Sequence, residues 1–481
     1  MRVLLIHPPT SSKHPEPPLG IAYLAAYLRL RGHTCSLIDM DPAGLKPHDL
    51  PAILGKERPQ LIGVSFMTPQ FGYASEILQI AKNSAPSAVT VAGGPHSSSM
   101  PEDVLALPGV DFVVFGEGEE TLAELIDVLD GNKDFGKVLG LAWKNSGGTC
   151  VVNLPRPLMP DIDSIPRPAW DLLRQYTYTD LPMYKREEVP VYPIITARGC
   201  PFECLFCDEG SIWKRKVRFR SIPLVLDEIE WLCKEYGART FNVLDDTFTL
   251  RPERVTEFCQ GLNARGLAIF WRCTAKSTTV TAKMLSEMAA AGCKLVGYGV
   301  ESGNQQILNN IKKAQTLDDV RRAMQLSREA GLQTIALCIV GNLGETPETV
   351  EDTIRFVEEI QPDFATGAIM TPYPGSGMYR ICKQNGWIRN TNWNHWIPTP
   401  HGIPNFRPVA VIADMDQQAL LDAYYRFNAR IIGNRFRRRY GHFYYLSPSF
   451  IRREVLHRLS VSGLRHFTKT GWRLLRSGLG R

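Results

Sequence analysis

Cys200, Cys204 and Cys207 stand in a CxxxCxxC spacing within the run Ile194-Ile-Thr-Ala-Arg-Gly-Cys200-Pro-Phe-Glu-Cys204-Leu-Phe206-Cys207. Three thiolates on one short loop can each take one iron of a four-iron cubane, leaving the fourth iron open for a substrate. The competing chemistry is a zinc knuckle. A structural zinc needs a fourth ligand, and no Cys or His stands close by; Cys233 is the nearest after the motif. The other eight of the eleven cysteines are scattered. That is not the regular framework of a secreted disulfide protein. A reducing compartment, which keeps ligand thiols free, fits better.

Other groups fit for chemistry gather where short apolar runs end. Asp245 and Asp246 follow the run Thr240–Leu244. Two adjacent carboxylates there can receive an ammonium group, or they can cap a helix N-terminus. Near the start of the chain the runs end in His7-Pro8-Pro9, Ser65-Phe-Met67-Thr68-Pro69, Gly93-Gly94-Pro95-His96 and Gly116-Glu117-Gly118-Glu119. Glycines let backbone approach a bulky ligand closely. Open α/β sheets bind ligands at these carboxyl ends.

The elements that must hold these groups alternate between strand and helix. Residues 1–145 carry the apolar runs Val3–Ile6, Ser36–Asp39, Leu61–Phe66, Val89–Gly93 and Phe112–Phe115. Continuous runs of this kind fit strands buried on both faces. A first helix is predicted from about Leu19 to Arg31, with Pro18 at N1 and Gly32 at C′. The alternation implies an open, doubly wound sheet. Residues 146–190 read as a proline-rich linker, expected to be extended. Residues 191–375 hold a second βα series, with strands expected at Pro193–Ala197, Thr240–Leu244, Ile269–Thr274, Lys294–Val300, Gln333–Val340 and Phe364–Met370. Six successive βα units suggest a barrel or part of one, with chemistry at the C-terminal strand ends. Residues 376–481 form a less regular C-terminal region. Its Asn390–Asn405 stretch is expected to be a loop over the site, and Ala419–Ile432 to be helical.

The charge is uneven. Of the net +6, residues 430–481 carry +12 and residues 1–429 carry −6. No signal peptide is read at MRVLLIHPP, because its apolar stretch is too short. The uncharged run Pro17–Leu28 is also too short to span a bilayer. A cytoplasmic enzyme is expected. The basic tail, interleaved with Phe443, Leu456, Phe467 and Trp472, admits two main readings: a helix packed on the acidic body, or a peripheral membrane contact. Charge alone also fits nucleic acid, but no reading module accompanies it, and no nucleic acid is expected.

Over residues 191–375 the chain resembles the radical S-adenosylmethionine superfamily. The resemblance implies a 4Fe–4S cluster on Cys200, Cys204 and Cys207 whose open iron binds S-adenosylmethionine. One electron then splits that molecule into methionine and a 5′-deoxyadenosyl radical. It also implies S-adenosylmethionine contacts at Phe206, Asp245, Asp246, Lys276, Glu301, Ser302, Gly341 and Glu345. Gly297-Tyr-Gly-Val-Glu301-Ser302-Gly resembles a G-x-E-S-G turn, and Gly341-Asn-Leu-Gly-Glu345-Thr resembles a G-x-P-G-E-T turn, with Asn-Leu where proline is common. Lys276 stands near a position where many related proteins carry Arg, so the charge is kept but not the fork.

Over residues 1–140 the chain resembles the cobalamin-binding domain of cobalamin-dependent radical enzymes, the family that includes class B methyltransferases and the anaerobic Mg-protoporphyrin monomethyl ester cyclase. The resemblance implies cobalamin contacts at Pro8, Pro9, Ser65, Met67, Thr68, Gly93, Gly94, Pro95, His96, Gly116, Glu117 and Gly118. The D-x-H-x-x-G loop of many cobalamin domains is absent, so no His is expected on cobalt. The implied architecture is an N-terminal open Rossmann-like sheet, a partial (β/α)6 TIM-like barrel and a mostly helical extension. The implied activity is methylation of an unactivated carbon of a small-molecule or lipid substrate, with a flavodoxin- or ferredoxin-type electron donor. A cyclase or oxidative rearrangement would use the same motifs, because fold does not decide the outcome. A non-catalytic cobalamin or redox sensor is the reading from another class. The acidic and glycine strand ends argue against it.

Overall fold

The computed structural model describes residues 1–10, 16–131, 133–178, 190–399, 406–441 and 447. The first sheet contains β1 (Arg2–His7), β2 (Thr34–Asp39), β3 (Leu61–Ser65), β4 (Val89–Gly93), β5 (Phe112–Val114), β6 (Leu141–Lys144) and β7 (Cys150–Val152), in the order β2-β1-β3-β4-β5-β6-β7. The first five strands pair in parallel. Successive side chains point to opposite faces. Val3 and Leu5 therefore join the core under helix Leu19–Leu30, while Leu4 and Ile6 join a separate core with Ile62, Val64 and Leu78. The order 2-1-3-4-5 reverses between β1 and β3, the switch point where such sheets bind ligands.

Two local expectations shift. Pro18 is the N-cap of the first helix rather than N1, and Gly32 takes C′ with φ +80°. The sheet also continues past residue 145. β6 pairs antiparallel with β5 and with β7, so the chain from Cys150 to Val152 is an edge strand rather than linker. Further on, the proline-rich stretch also forms a short helix, Trp170–Leu173. Its residues 179–189 lie outside the described residues.

The second sheet contains β8 (Val191–Ile194), then β11 (Thr240–Val243), β12 (Phe270–Ala275), β13 (Cys293–Glu301), β14 (Gln333–Val340) and β15 (Phe364–Ile369). All neighbours are parallel and the order follows the sequence, as in an open part of a (β/α) barrel. A small ribbon, β9 (Ala197–Arg198) with β10 (Arg218–Phe219), brackets the cysteine loop. Trp271, Tyr298, Phe241 and Phe258 fill the barrel core. Helix Gln417–Tyr440 is longer than expected and packs on helix Pro347–Ile360, where Arg430 reaches Glu358 at 2.8 Å. Residues 442–446 and 448–481, most of the basic tail, lie outside the described residues, as do residues 400–405 of the Asn390–Asn405 loop. Among the described residues no helix is long and apolar enough to cross a membrane.

Candidate active site

The cysteine loop leaves β9 at the C-terminal end of the barrel. Gly199, with φ +97°, starts it: a Cβ there would lie 2.2 Å from the Lys216 carbonyl, so only glycine fits. The loop is pinned by the Leu205 N–H donating to the Ile311 carbonyl at 3.0 Å and the Met378 N–H donating to the Leu205 carbonyl at 2.7 Å. Cys204 is buried, while Cys200 and Cys207 are half-buried. Thr247, after β11, stands 3.8 Å from the Cys200 sulfur. Burial pushes the Cys200 thiol up, and the Cys207 thiol to about 12. Without metal Cys200 and Cys207 are therefore thiols, and metal binding releases their protons. Among the described residues no three His, Cys, Asp or Glu side chains converge on one metal position. A cubane asks for a different arrangement, one sulfur per iron corner. The donor set, three cysteines with two lysine ammonium groups beside the loop, suits such an anionic cluster.

The remaining barrel residues divide by what occupies their side chains. Asp246 is exposed and, with Glu209 and Asp208, forms a carboxylate group beside the loop. Burial and these neighbours push Glu209 up to about 8. Glu301 takes φ +62°, a strained conformation for a side-chain residue, and accepts from Lys313 at 2.7 Å. Lys313 lies 5.6 Å above the Phe206 ring, and Lys276 lies 3.9 Å above the Phe202 ring. Gly341, φ +93°, donates its N–H to Glu345 at 2.5 Å. The other Glu345 oxygen is buried with no partner among the described residues, as is Asn342 Oδ1 in the same turn. Burial pushes Glu345 up to about 7.

Two barrel expectations meet a different arrangement. Asp245 neither faces open space nor caps a helix. It accepts from Thr196 N–H at 2.7 Å, Ala197 N–H at 3.0 Å and Thr196 Oγ1 at 2.5 Å, clamping the chain between β8 and β9. Ser302 bonds Thr353 at 3.1 Å and receives the Asn304 N–H, so it fastens the turn to helix Pro347–Ile360. Both roles position the site from behind.

In the first sheet, Pro8, Pro9, Ser65, Met67 and Thr68 lie at the β1/β3 switch point, where Gln70 donates to the Pro8 carbonyl at 2.9 Å. Gly94 combines φ +93° with ψ −175°, and a Cβ there would lie 2.7 Å from the Phe66 nitrogen. Gly116, φ +80°, faces open space where a Cβ would meet nothing within 4 Å. Exposed Met67 and open Gly116 fit a large flat ligand laid over the strand ends. His96, in the helical turn Pro95–Ser99 after β4, is buried against Phe66, Phe71 and Trp393; its Nδ1 meets Thr68 at 2.9 Å and its Nε2 has no partner among the described residues. Burial lowers its pKa to about 4.

The Glu117 side chain is engaged from the barrel side. Both its oxygens are taken: Arg198 donates at 3.0 Å, Arg218 at 2.6 Å and the Met159 N–H at 2.9 Å. Glu119 takes the other arm of Arg198 at 2.7 Å. Burial alone would raise the Glu117 carboxyl; its bonds to Arg218, Met159 and Arg198 reverse that and hold it below its usual range. Gly118 likewise starts helix Gly118–Asp130, tight against Leu24. The end of β5 is thus tied to the root of the cysteine loop. Farther along, a Cβ on Gly375 would meet Ser99 at 2.6 Å and Ser211 at 2.9 Å, so the segment after β4 and the one after Cys207 converge. Trp393, in the loop expected to cover the site, seats on His96. Arg198 and Lys313 escaped notice in the sequence, because neither carries a spacing signal that separates it from surface cations.

Residues 10–126 match the B12 binding domain family and residues 194–357 match the Radical SAM superfamily. An uncharacterized methyltransferase of Pyrococcus horikoshii is 35% identical, over 82% of this chain and 86% of its own. The chain belongs to the cobalamin-binding radical S-adenosylmethionine enzymes. The anaerobic magnesium-protoporphyrin IX monomethyl ester cyclase of Rubrivivax gelatinosus is 31% identical over 100% of this chain and 85% of its own. The solved structure of the cobalamin-dependent S-adenosylmethionine radical enzyme OxsB shares the fold, with a TM-score of 0.73 at 18% identity over 97% of this chain and 76% of its own. The cofactors of these radical enzymes are a 4Fe–4S cluster, S-adenosylmethionine and cobalamin.

Proposed function

We propose that this radical enzyme is a C-methyltransferase acting on an unactivated carbon of a small-molecule or lipid substrate. One observation carries the reading: the glycine-lined strand ends of the first sheet and the cysteine loop of the barrel are drawn together, with Arg198 bonded across to Glu117 and Glu119. The methyltransferase relative from Pyrococcus horikoshii supports the outcome. When bound, the cluster supplies the electron that splits S-adenosylmethionine, and cobalamin carries the methyl group.

The residues themselves bind, orient and exclude water. Cys200, Cys204 and Cys207 would hold the cluster. Phe206, Asp246, Lys276, Glu301, Gly341 and Glu345 would surround S-adenosylmethionine, with Asp245 and Ser302 fixing the strand ends behind them. Pro8, Pro9, Ser65, Met67, Thr68, Gly93, Gly94, Pro95 and Gly116 would cradle cobalamin. His96 buttresses that face, since its ring is enclosed by Phe66, Phe71 and Trp393. An electron donor of flavodoxin or ferredoxin type would serve the cluster. Peripheral membrane contact through residues 435–481 belongs to the same reading; unchanged liposome flotation after their deletion would remove it.

Cyclisation is the second reading, favoured by a cyclase relative that matches along all of this chain. The test uses S-adenosylmethionine deuterated in its methyl group, with hydroxocobalamin, a strong reductant and a small-molecule and lipid extract under anaerobic conditions. Methyl transfer yields S-adenosylhomocysteine and 5′-deoxyadenosine in equal amounts and a deuterated product. A product without label, formed with 5′-deoxyadenosine alone, would replace the methyltransferase with a cyclase or oxidase.

A further inference from the structure

Two lysines stand over the limb of the loop that carries Cys204. Lys276 is 6% exposed; its ammonium lies 3.9 Å from the Phe202 ring and donates to the Lys313 carbonyl at 2.5 Å. Lys313, its side chain 12% exposed, donates to Glu301 at 2.7 Å and lies 5.6 Å from the Phe206 ring. Phe202 and Phe206 flank Cys204, so the ammonium groups cover both shoulders of that cysteine. The Leu205 N–H bond to the Ile311 carbonyl at 3.0 Å ties the loop to the segment bearing Lys313.

An ammonium has three donors, and each of these makes one hydrogen bond among the described residues. Lys276 has no carboxylate at ion-pair distance among the described residues. A buried cation without a counter-charge is costly, so the arrangement calls for an anion facing both lysines. The cysteine loop supplies that anion once its thiols give up their protons to hold the cluster. The other flank carries carboxyl groups instead, with Asp208, Glu209 and Asp246 beside Cys200 and Cys207.

We infer that Lys276 and Lys313 form a cationic bracket that favours the reduced state of the cluster and raises its reduction potential. The inference rests on the reading of the three cysteines as cluster ligands. Adding an electron deepens the negative charge of the site, and fixed cations in a poorly solvated setting stabilise that change. Glu301 offsets part of the Lys313 charge. Lys276 feels Asp319 only from beyond ion-pair distance, so its charge is offset less and it contributes more.

The experiment is a mediator titration of the anaerobically reconstituted chain, without S-adenosylmethionine or substrate, with the reduced cluster read by electron paramagnetic resonance. At the wild-type midpoint, Lys276→Met is expected to hold about tenfold less reduced than oxidised cluster, a shift of about 59 mV to more negative potential for a one-electron couple. Lys313→Met combined with Glu301→Gln shifts the same way by less, and Lys276→Arg stays near wild type. An unchanged midpoint in Lys276→Met with full iron content overturns the bracket. A wild-type chain that binds no iron overturns the underlying cluster reading instead.

Discussion

Arg198 and Glu117 lie 81 residues apart in the chain and 3.0 Å apart in space, both buried. Arg198 stands two residues ahead of Cys200, and Glu117 follows β5, so this bond joins the root of the cysteine loop to the first sheet. Its surroundings are dense: Glu119 takes the second arm, Arg218 shares Glu117, and the Arg198 guanidinium lies 5.3 Å from the Tyr23 ring.

Removing one partner should therefore cost more than the bond itself contributes. Glu117→Ala leaves half-buried Arg218 without its carboxylate, held only by the Met159 carbonyl, and buried Arg198 held only by Glu119. The expected loss is about 3–5 kcal/mol, read as a lowered urea midpoint of the cofactor-free chain. A loss under about 1 kcal/mol would mean that water enters and resolvates the arginines.

Much of this architecture is legible before folding. Val3–Ile6, Leu61–Phe66 and Val89–Gly93 are apolar because parallel strands are covered on both faces, and the CxxxCxxC spacing is a local property of one loop. The antiparallel pair β6 and β7 is not legible, since four and three residues at a sheet edge carry little periodic signal. Nor is the division of labour among acids. Asp245 and Asp246 are neighbours with the same chemistry, yet one is consumed by Thr196 and Ala197 and the other stays exposed. That outcome depends on where β8 runs beside β11, which no residue near position 245 encodes. Glu117 and Lys313 follow the same logic, because their partners are set by tertiary contact.

Cys204→Ala should empty the site of metal. It is the buried member of the triad, and two thiols cannot hold a cubane built for three. Iron in the anaerobically reconstituted protein is expected to fall from about four per chain to near zero, with loss of the broad visible absorption. Retention of more than about two irons per chain would show that another residue completes the site.

Gly94→Ala tests the cobalamin face. The φ and ψ of Gly94 belong to a region essentially reserved for glycine, and the new methyl would press on the Phe66 backbone at 2.7 Å. A loss of about 1–3 kcal/mol in thermal unfolding is expected, together with a drop in bound cobalt. Normal cobalt content despite the destabilisation would place the corrinoid away from this turn.

Glu345 should make the chain less stable as pH rises. Its carboxyl is pushed from 4.5 to about 7 in the fold, so the folded state keeps a proton that the unfolded chain gives up. Its favourable contribution is complete below pH 4.5 and disappears as pH climbs to about 7. A full shift of that size corresponds to about 3 kcal/mol. Glu345→Gln lacks the titration, so its urea midpoint relative to wild type should improve from pH 5 to pH 7 and then level off. A constant difference across that range would mean that Glu345 is ionised in the fold.

Trp393 and His96 give the opposite sign. The ring centroids are 4.9 Å apart, and burial lowers the imidazole from 6.5 to about 4. The folded chain therefore holds His96 neutral while the unfolded chain protonates below pH 6.5, and stability drains away as pH falls from 6.5 towards 4. Trp393→Ala removes one wall of the enclosure and lets water reach the ring. Its folded pKa then moves back towards 6.5, and the acid-side slope of stability flattens even though the variant is less stable at every pH. The two effects separate in one experiment, urea midpoints from pH 4 to pH 7, because lost packing shifts the whole curve and a changed pKa alters only its slope. Parallel curves would mean that Phe66 and Phe71 alone keep His96 dry, and that Trp393 only packs against it.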